Sequence, residues 1–148
     1  MIAIGSDHGG YELKEILKEY LQELGQEYKD YGAFSTDRVD YPLVAKEVSK
    51  SVAEKVCEKG ILICRSGYGM AMVANKFKGV RSAPCFCTRA AQFSRLHNDS
   101  NVLSLGADYV TVDEAKEILS TWLETEFEGG RHQERLDLVA DIENENMK

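Results

Sequence analysis

ILICRSGYGMAMVANK, residues 61–76, is the stretch on which the reading of the fold turns. Ile61, Leu62 and Ile63 run apolar without polar alternation into Cys64, as a strand buried on both faces does. Arg65, Ser66, Gly67 and Gly69 then turn the chain, and the small and apolar residues beyond predict a short helix around 69–76. A buried strand, a glycine turn and a helix form the repeating unit of a parallel α/β sheet.

The same alternation extends in both directions. On the N-terminal side, IAIG is a short buried strand. A helix follows with Leu13, Ile16, Leu17, Tyr20, Leu21 and Leu24 on one stripe and Gly25 as its stop. EYKDYG is a more polar strand suited to a sheet edge, and Pro42 opens a helix striped by Val44, Ala45, Val48, Val52 and Val56, with Gly60 as its end. On the C-terminal side, VRSAPCFC is a strand broken by Pro84, RAAQFSRLH is helical and NVLSLG is a strand. Val112 to Leu123 is a helix with Ile118, Leu119, Trp122 and Leu123 inward, and after EGG a last helix spans about 131–146. One parallel sheet covered by helices on both faces accounts for the pattern, and its 148 residues suit a single domain, 1–148. Ligands of such sheets bind at the carboxyl ends of the strands, near the point where strand order reverses.

Charge and composition exclude several functions. Lys and Arg number 18 against 25 Asp and Glu, a net charge of −7 that does not suit a nucleic-acid surface. No apolar run approaches the ~20 residues of a membrane span, and the first residues lack the basic lead of a secretory signal. Cys57, Cys64, Cys85 and Cys87 follow no disulfide framework and read as free thiols of a reducing cytoplasm. Cys85 and Cys87 have no second thiol pair or clustered histidines to complete a metal site and are assigned to packing.

Four segments carry candidate chemistry. Asp7 and His8 in GSDHGG close the first strand; a helix-capping Asp beside a surface His is the alternative to a ligand site. In CRSGYG, residues 64–69, backbone N–H groups of Arg65, Gly67, Tyr68 and Gly69 can converge on an anion beside Ser66. The same field activates a thiol, and Cys64 is the last residue of its strand, although a small buried hydrophobe is the plain alternative. No Walker loop fits, and a cysteine-phosphatase loop needs an arginine where Met70 stands. His97 and Asn98 fall at a helix end, as a cap or as site residues. Arg131 and Arg135 continue the stripe of Leu138 and Ile142, so each guanidinium needs an anionic partner, either a carboxylate of the chain or a bound phosphate.

These segments, GSDHGGYELK, DYP (40–42), ILICRSGYGMAMVANK, GVR (79–81), RLHNDSNVLSLG and EFEGGRHQERL, together resemble the ribose-5-phosphate isomerase B family, which includes galactose-6-phosphate isomerase subunits. The resemblance implies a Rossmann-like three-layer α/β/α sandwich on a five-stranded parallel sheet. It also implies aldose–ketose isomerisation of a sugar phosphate without metal or cofactor. Carried over by position, Cys64 moves the proton between C1 and C2, Ser66 and the 65–69 loop hold the enediolate, and His97 assists ring opening. Asp7 would hold sugar hydroxyls, His8, Arg131 and Arg135 the phosphate, and Asn98 the wall of the site. Family members are dimers or tetramers whose sites take His97 and Asn98 from a neighbouring subunit. Met70 stands where some members place a glutamate, so this chain follows the cysteine version. Two residues depart from the pattern: Arg65 replaces the usual glycine after the cysteine, and Asp108 replaces a common arginine. Ribose 5-phosphate is the expected substrate; another sugar, such as a hexose 6-phosphate or a free aldose, and a non-catalytic binding module are the alternatives.

Overall fold

In the computed structural model, residues 1–147 are described; they build five parallel strands and six α-helices. The strands are β1 (Ile2–Ser6), β2 (Tyr28–Asp30), β3 (Lys59–Cys64), β4 (Ser82–Pro84) and β5 (Val102–Gly106). The helices are α1 (Tyr11–Glu23), α2 (Tyr41–Ala53), α3 (Tyr68–Ala74), α4 (Thr88–Asn98), α5 (Val112–Glu124) and α6 (Arg131–Asn146). Strand order is β2-β1-β3-β5-β4, all neighbours parallel, which is the Rossmann-like three-layer arrangement expected from sequence.

Side-chain alternation along the strands divides the core in two. Ile61 and Ile63 of β3 join Ile2, Ile4, Leu103 and Leu105 under α1, α4 and α5, where Leu17, Ile118 and Trp122 are wholly buried. Leu62 and Cys64 point the other way, joining Ala3, Val48, Val52 and Met70 under α2 and α3. β1 and β3 are adjacent while their crossovers leave in opposite directions, so the switch point lies between Ser6 and Cys64. Both edge strands are three residues long, and Pro84 sits in one, which blunts the edges.

Several sequence expectations are corrected. α2 stops at Ala53, not Gly60: Lys55 is left-handed (φ 60°), and the Val56 and Cys57 N–H groups both turn back to Ser51 carbonyl. Val56 is therefore exposed, and Gly60 lies inside β3, where a Cβ would come 2.9 Å from Val48 Cγ1. Leu24 falls past the end of α1 and is exposed, whereas Lys14, polar in sequence, is wholly buried. Arg131 and Arg135 do not lie on a face packed within the chain: both are exposed, as are Leu138 and Ile142, and the buried residue of α6 is His132. Cys87, assigned to packing, is exposed, while Cys85 is buried and its thiol is pushed up to about 11 by that burial. Among the described residues no helix is long and apolar enough to cross a membrane.

Candidate active site

Cys64 ends β3 with its side chain on the α2/α3 face, and the turn that follows wraps back over it. Gly67 N–H donates to Cys64 Sγ at 3.1 Å, which requires Gly67 at φ 84°, a left-handed value natural to glycine. Ser66 Oγ accepts the Tyr68 N–H at 3.2 Å, leaving its own proton free to donate outward. α3 begins at Tyr68 and has only seven residues, so the loop N–H groups rather than a long helix dipole define the polarity here.

Asp7 and His8 leave the end of β1 beside this turn, where Asp7 N–H donates to Ile63 carbonyl at 3.2 Å. Asp7 is both a cap and a site residue: its Oδ1 accepts Gly10 N–H at 3.1 Å, and it lines the cavity above Cys64. His8 Nδ1 lies 3.2 Å from Val39 N and 3.3 Å from Val39 O, which ties the β2–α2 loop to the site. The cavity, about 300 Å³, is walled by Asp7, His8, Tyr41, Cys64, Arg65, Ser66 and Gly69. Tyr41 was not among the sequence candidates. Its ring fills the space over Gly69, where a Cβ would be 2.6 Å from it, a contact between α2 and α3 that no local spacing announces.

Four other candidates lie elsewhere. His97 and Asn98 belong to α4, in the layer on the opposite side of the sheet from the thiol, and neither lines the Cys64 cavity. Arg131 and Arg135 do not line it either, and among the described residues neither is ion-paired. His97 is instead held in a separate cluster. Its ring stacks on His132 with centroids 4.2 Å apart and planes 15° apart, and Phe93 meets it at 5.0 Å. Glu128 Oε2 is 4.0 Å from His97 Nε2. Burial and then His97 push the His132 imidazole below its ordinary value, and Nε2 of this buried ring has no hydrogen-bond partner among the described residues.

The His97, Glu128 and His132 ligand atoms all lie within 4.8 Å, a histidine cluster that the sequence reading did not find. The 34 residues between the two histidines give no metal-motif spacing. The lone pairs of an imidazole lie in the ring plane, so two nearly parallel stacked rings cannot both aim at one ion unless one turns. Stacking that orients His97 describes the arrangement better than metal ligation does.

Fold and site together define a doubly wound α/β protein with a thiol and a glycine turn at its topological switch point. The ribose/galactose isomerase profile matches residues 2–139, and the chain belongs to that family. It is 44% identical over 142 residues to ribose-5-phosphate isomerase B of Escherichia coli, covering 96% of this chain and 95% of that one. Among solved structures, the Clostridium thermocellum ribose-5-phosphate isomerase B superposes with TM-score 0.96 at 43% identity, covering 97% of each chain. The Mycoplasma genitalium enzyme, solved with bound ribulose-5-phosphate, superposes with TM-score 0.94 at 39% identity, covering 98% of this chain and 97% of that one.

Proposed function

We propose that this chain interconverts ribose 5-phosphate and ribulose 5-phosphate by proton transfer through an enediolate. The observation that carries the reading is the placement of Cys64 at the carboxyl end of the central strand, under a cavity walled by Asp7, His8, Ser66 and Gly69. With the open-chain aldose in that cavity, the Cys64 thiolate takes the C2 proton, and the electron pair moves onto the C1 oxygen. Ser66 hydroxyl and the 65–69 backbone N–H groups stabilise that oxyanion. The proton of the C2 hydroxyl passes to the C1 oxygen, and as the C2 carbonyl forms the Cys64 thiol returns its proton to C1, which gives the ketose. Asp7 accepts hydrogen bonds from sugar hydroxyls, and the chemistry needs neither metal nor cofactor.

The catalytic set is completed by a second copy of the chain in a homo-oligomer of the cytoplasm. His97, the ring-opening group, stands on the other face of the sheet from Cys64, and Arg131 and Arg135 project exposed from α6. Leu138, Val139 and Ile142 leave an apolar surface on the same helix, beside a groove of about 660 Å³ that Asn98 also lines. Contributed across an interface, His97 and Asn98 reach the sugar, and Arg131 and Arg135 reach the phosphate together with His8.

The test is isotopic. In deuterated water, ribose 5-phosphate turned over by the protein acquires deuterium at C2 of recovered aldose and at C1 of ketose. Absence of both label and ketose with ribose 5-phosphate, alongside labelling of a hexose phosphate or a free sugar in the same panel, replaces this substrate with that one.

A further inference from the structure

Arg65 stands where two cavities meet. Beside the Cys64 cavity lies a larger one of about 430 Å³, lined by His8, Gly9, Glu12, Thr36, Arg65 and Asp108 among others. His8 and Arg65 wall both, and among the described residues Arg65 is the one lysine or arginine in either lining. Its aliphatic stem crosses the backbone of Gly9, where a Cβ would lie 2.7 Å from Arg65 Cγ and 3.2 Å from Nε. A side chain at position 9 would therefore displace the arginine from the boundary between the cavities.

The head of Arg65 is held loosely while its backbone is held firmly. Asp108 N–H donates to the Arg65 carbonyl at 3.0 Å and Ala107 N–H to the Cys64 carbonyl at 2.8 Å, which locks the ends of β3 and β5 together. By contrast, Arg65 Nη1 lies 3.8 Å from Asp108 Oδ2, too far for a hydrogen bond, with both side chains more than half exposed. Such a water-facing ion pair contributes little and is easily exchanged. A phosphate dianion offers the guanidinium two charge-assisted hydrogen bonds in their place.

We propose that Arg65 is a specificity-determining residue that leaves Asp108 to grip the terminal phosphoryl group of the substrate, while C1 and C2 lie at Cys64. Asp108 sets the charge a ligand must bring to win the exchange, so a dianionic end group is accepted and a neutral hydroxymethyl end is not. His8 and Glu12 flank the exchange, one as a further donor and the other as a carboxylate that excludes the anion from the far wall. The assignment rests on the isomerase reading for the identity of the ligand, but not for the exchange itself.

Inorganic phosphate is titrated calorimetrically into the full chain, and kcat/KM is measured for ribose 5-phosphate and for unphosphorylated ribose. Arg65→Gln weakens phosphate about tenfold and reduces the preference for the phosphorylated sugar by a similar factor, the scale of one lost charge-assisted contact. Asp108→Asn tightens phosphate by about three- to tenfold, an effect that fades with added salt and is much smaller when combined with Arg65→Gln, where only direct repulsion by the carboxylate remains to be relieved. Unchanged phosphate affinity in Arg65→Gln, or an Asp108→Asn gain that is undiminished without Arg65, overturns the exchange. Because phosphate binding is read without turnover, Arg65-dependent binding in a protein that isomerises no sugar sinks the isomerase reading alone.

Discussion

Cys64 combines two properties that usually exclude one another: it is 5% exposed, yet it walls a cavity and accepts a backbone N–H. Cys85 illustrates the other fate of a buried thiol, lying in the core with its proton held more tightly than usual. Cys64→Ala removes the proton-transfer group without removing a packing neighbour of any size, so kcat falls by about 10²–10⁴-fold while phosphate binding survives. Turnover close to that of the unaltered protein, measured under initial-rate conditions, would exclude the cysteine as base. The thiol was legible in the sequence because it ends a buried run at the start of a turn that carries Gly67 and Gly69, a place defined by local order. Tyr41 and His132 were not legible, since the first acquires its position from the α2–α3 packing and the second from a ring on α4. Nothing in the spacing around either residue records those contacts.

At the scale of elements, Lys14 and Asp30 decide how α1 sits on the edge of the sheet. The Lys14 ammonium, wholly buried, donates to both Asp30 oxygens at 2.7 and 2.8 Å and to the Ala33 carbonyl. Lys18 reaches the same carboxylate at 2.9 Å. Burial alone would raise the Asp30 carboxyl, but the Lys14, Gly32 and Lys18 contacts outweigh it and hold the group below its ordinary 3.8. A depressed carboxyl contributes stability that is complete above the unfolded value and is lost as pH falls through the folded one, so acid below about pH 4 loosens α1 and β2. Lys14→Met leaves Asp30 with Lys18 as its one ion-pair partner among the described residues, beside the Gly32 N–H, and costs about 3 kcal/mol at neutral pH, the low end for breaking a buried pair. Urea unfolding measures it, and a loss below about 1 kcal/mol would show the pair to be dispensable. The α1 periodicity was plain from Leu13, Leu17 and Leu21, but the same spacing hid a lysine one residue into the stripe. The end of α2 was misplaced because a left-handed Lys55, not a glycine, turns the chain.

The whole molecule separates its chemistry by layer: the thiol faces α2 and α3, and the His97–His132 stack joins α4 to α6. If active sites are shared between copies, mixing inactive Cys64→Ala chains with inactive His97→Ala chains restores activity, because each mixed dimer holds one intact site. Recovery near a quarter of the unaltered rate is expected from random exchange of equal amounts, since about half the dimers are mixed and each has one site of two. Demonstrated subunit exchange with no recovery would place every site within a single chain. The sheet and its order of elements were readable from hydrophobic period, and so was the stripe of α6. What covers that stripe was not, because Leu138 and Ile142 are left more than half exposed on their own chain.

The side-chain alternation of β3 has a consequence for inheritance. Which face Cys64 occupies depends on parity, counted along a strand whose rungs are fixed at Ile61 to Ile4 and Leu103, and at Cys64 to Gly106. Exchange of one aliphatic residue for another at positions 61–63 leaves that count intact. Loss or gain of a single codon does not: it sends the thiol into the opposite layer and exposes the wrong set of aliphatic side chains to each helix pair. The length of this six-residue strand is therefore a stricter condition on where the thiol lies than the identity of most of its residues.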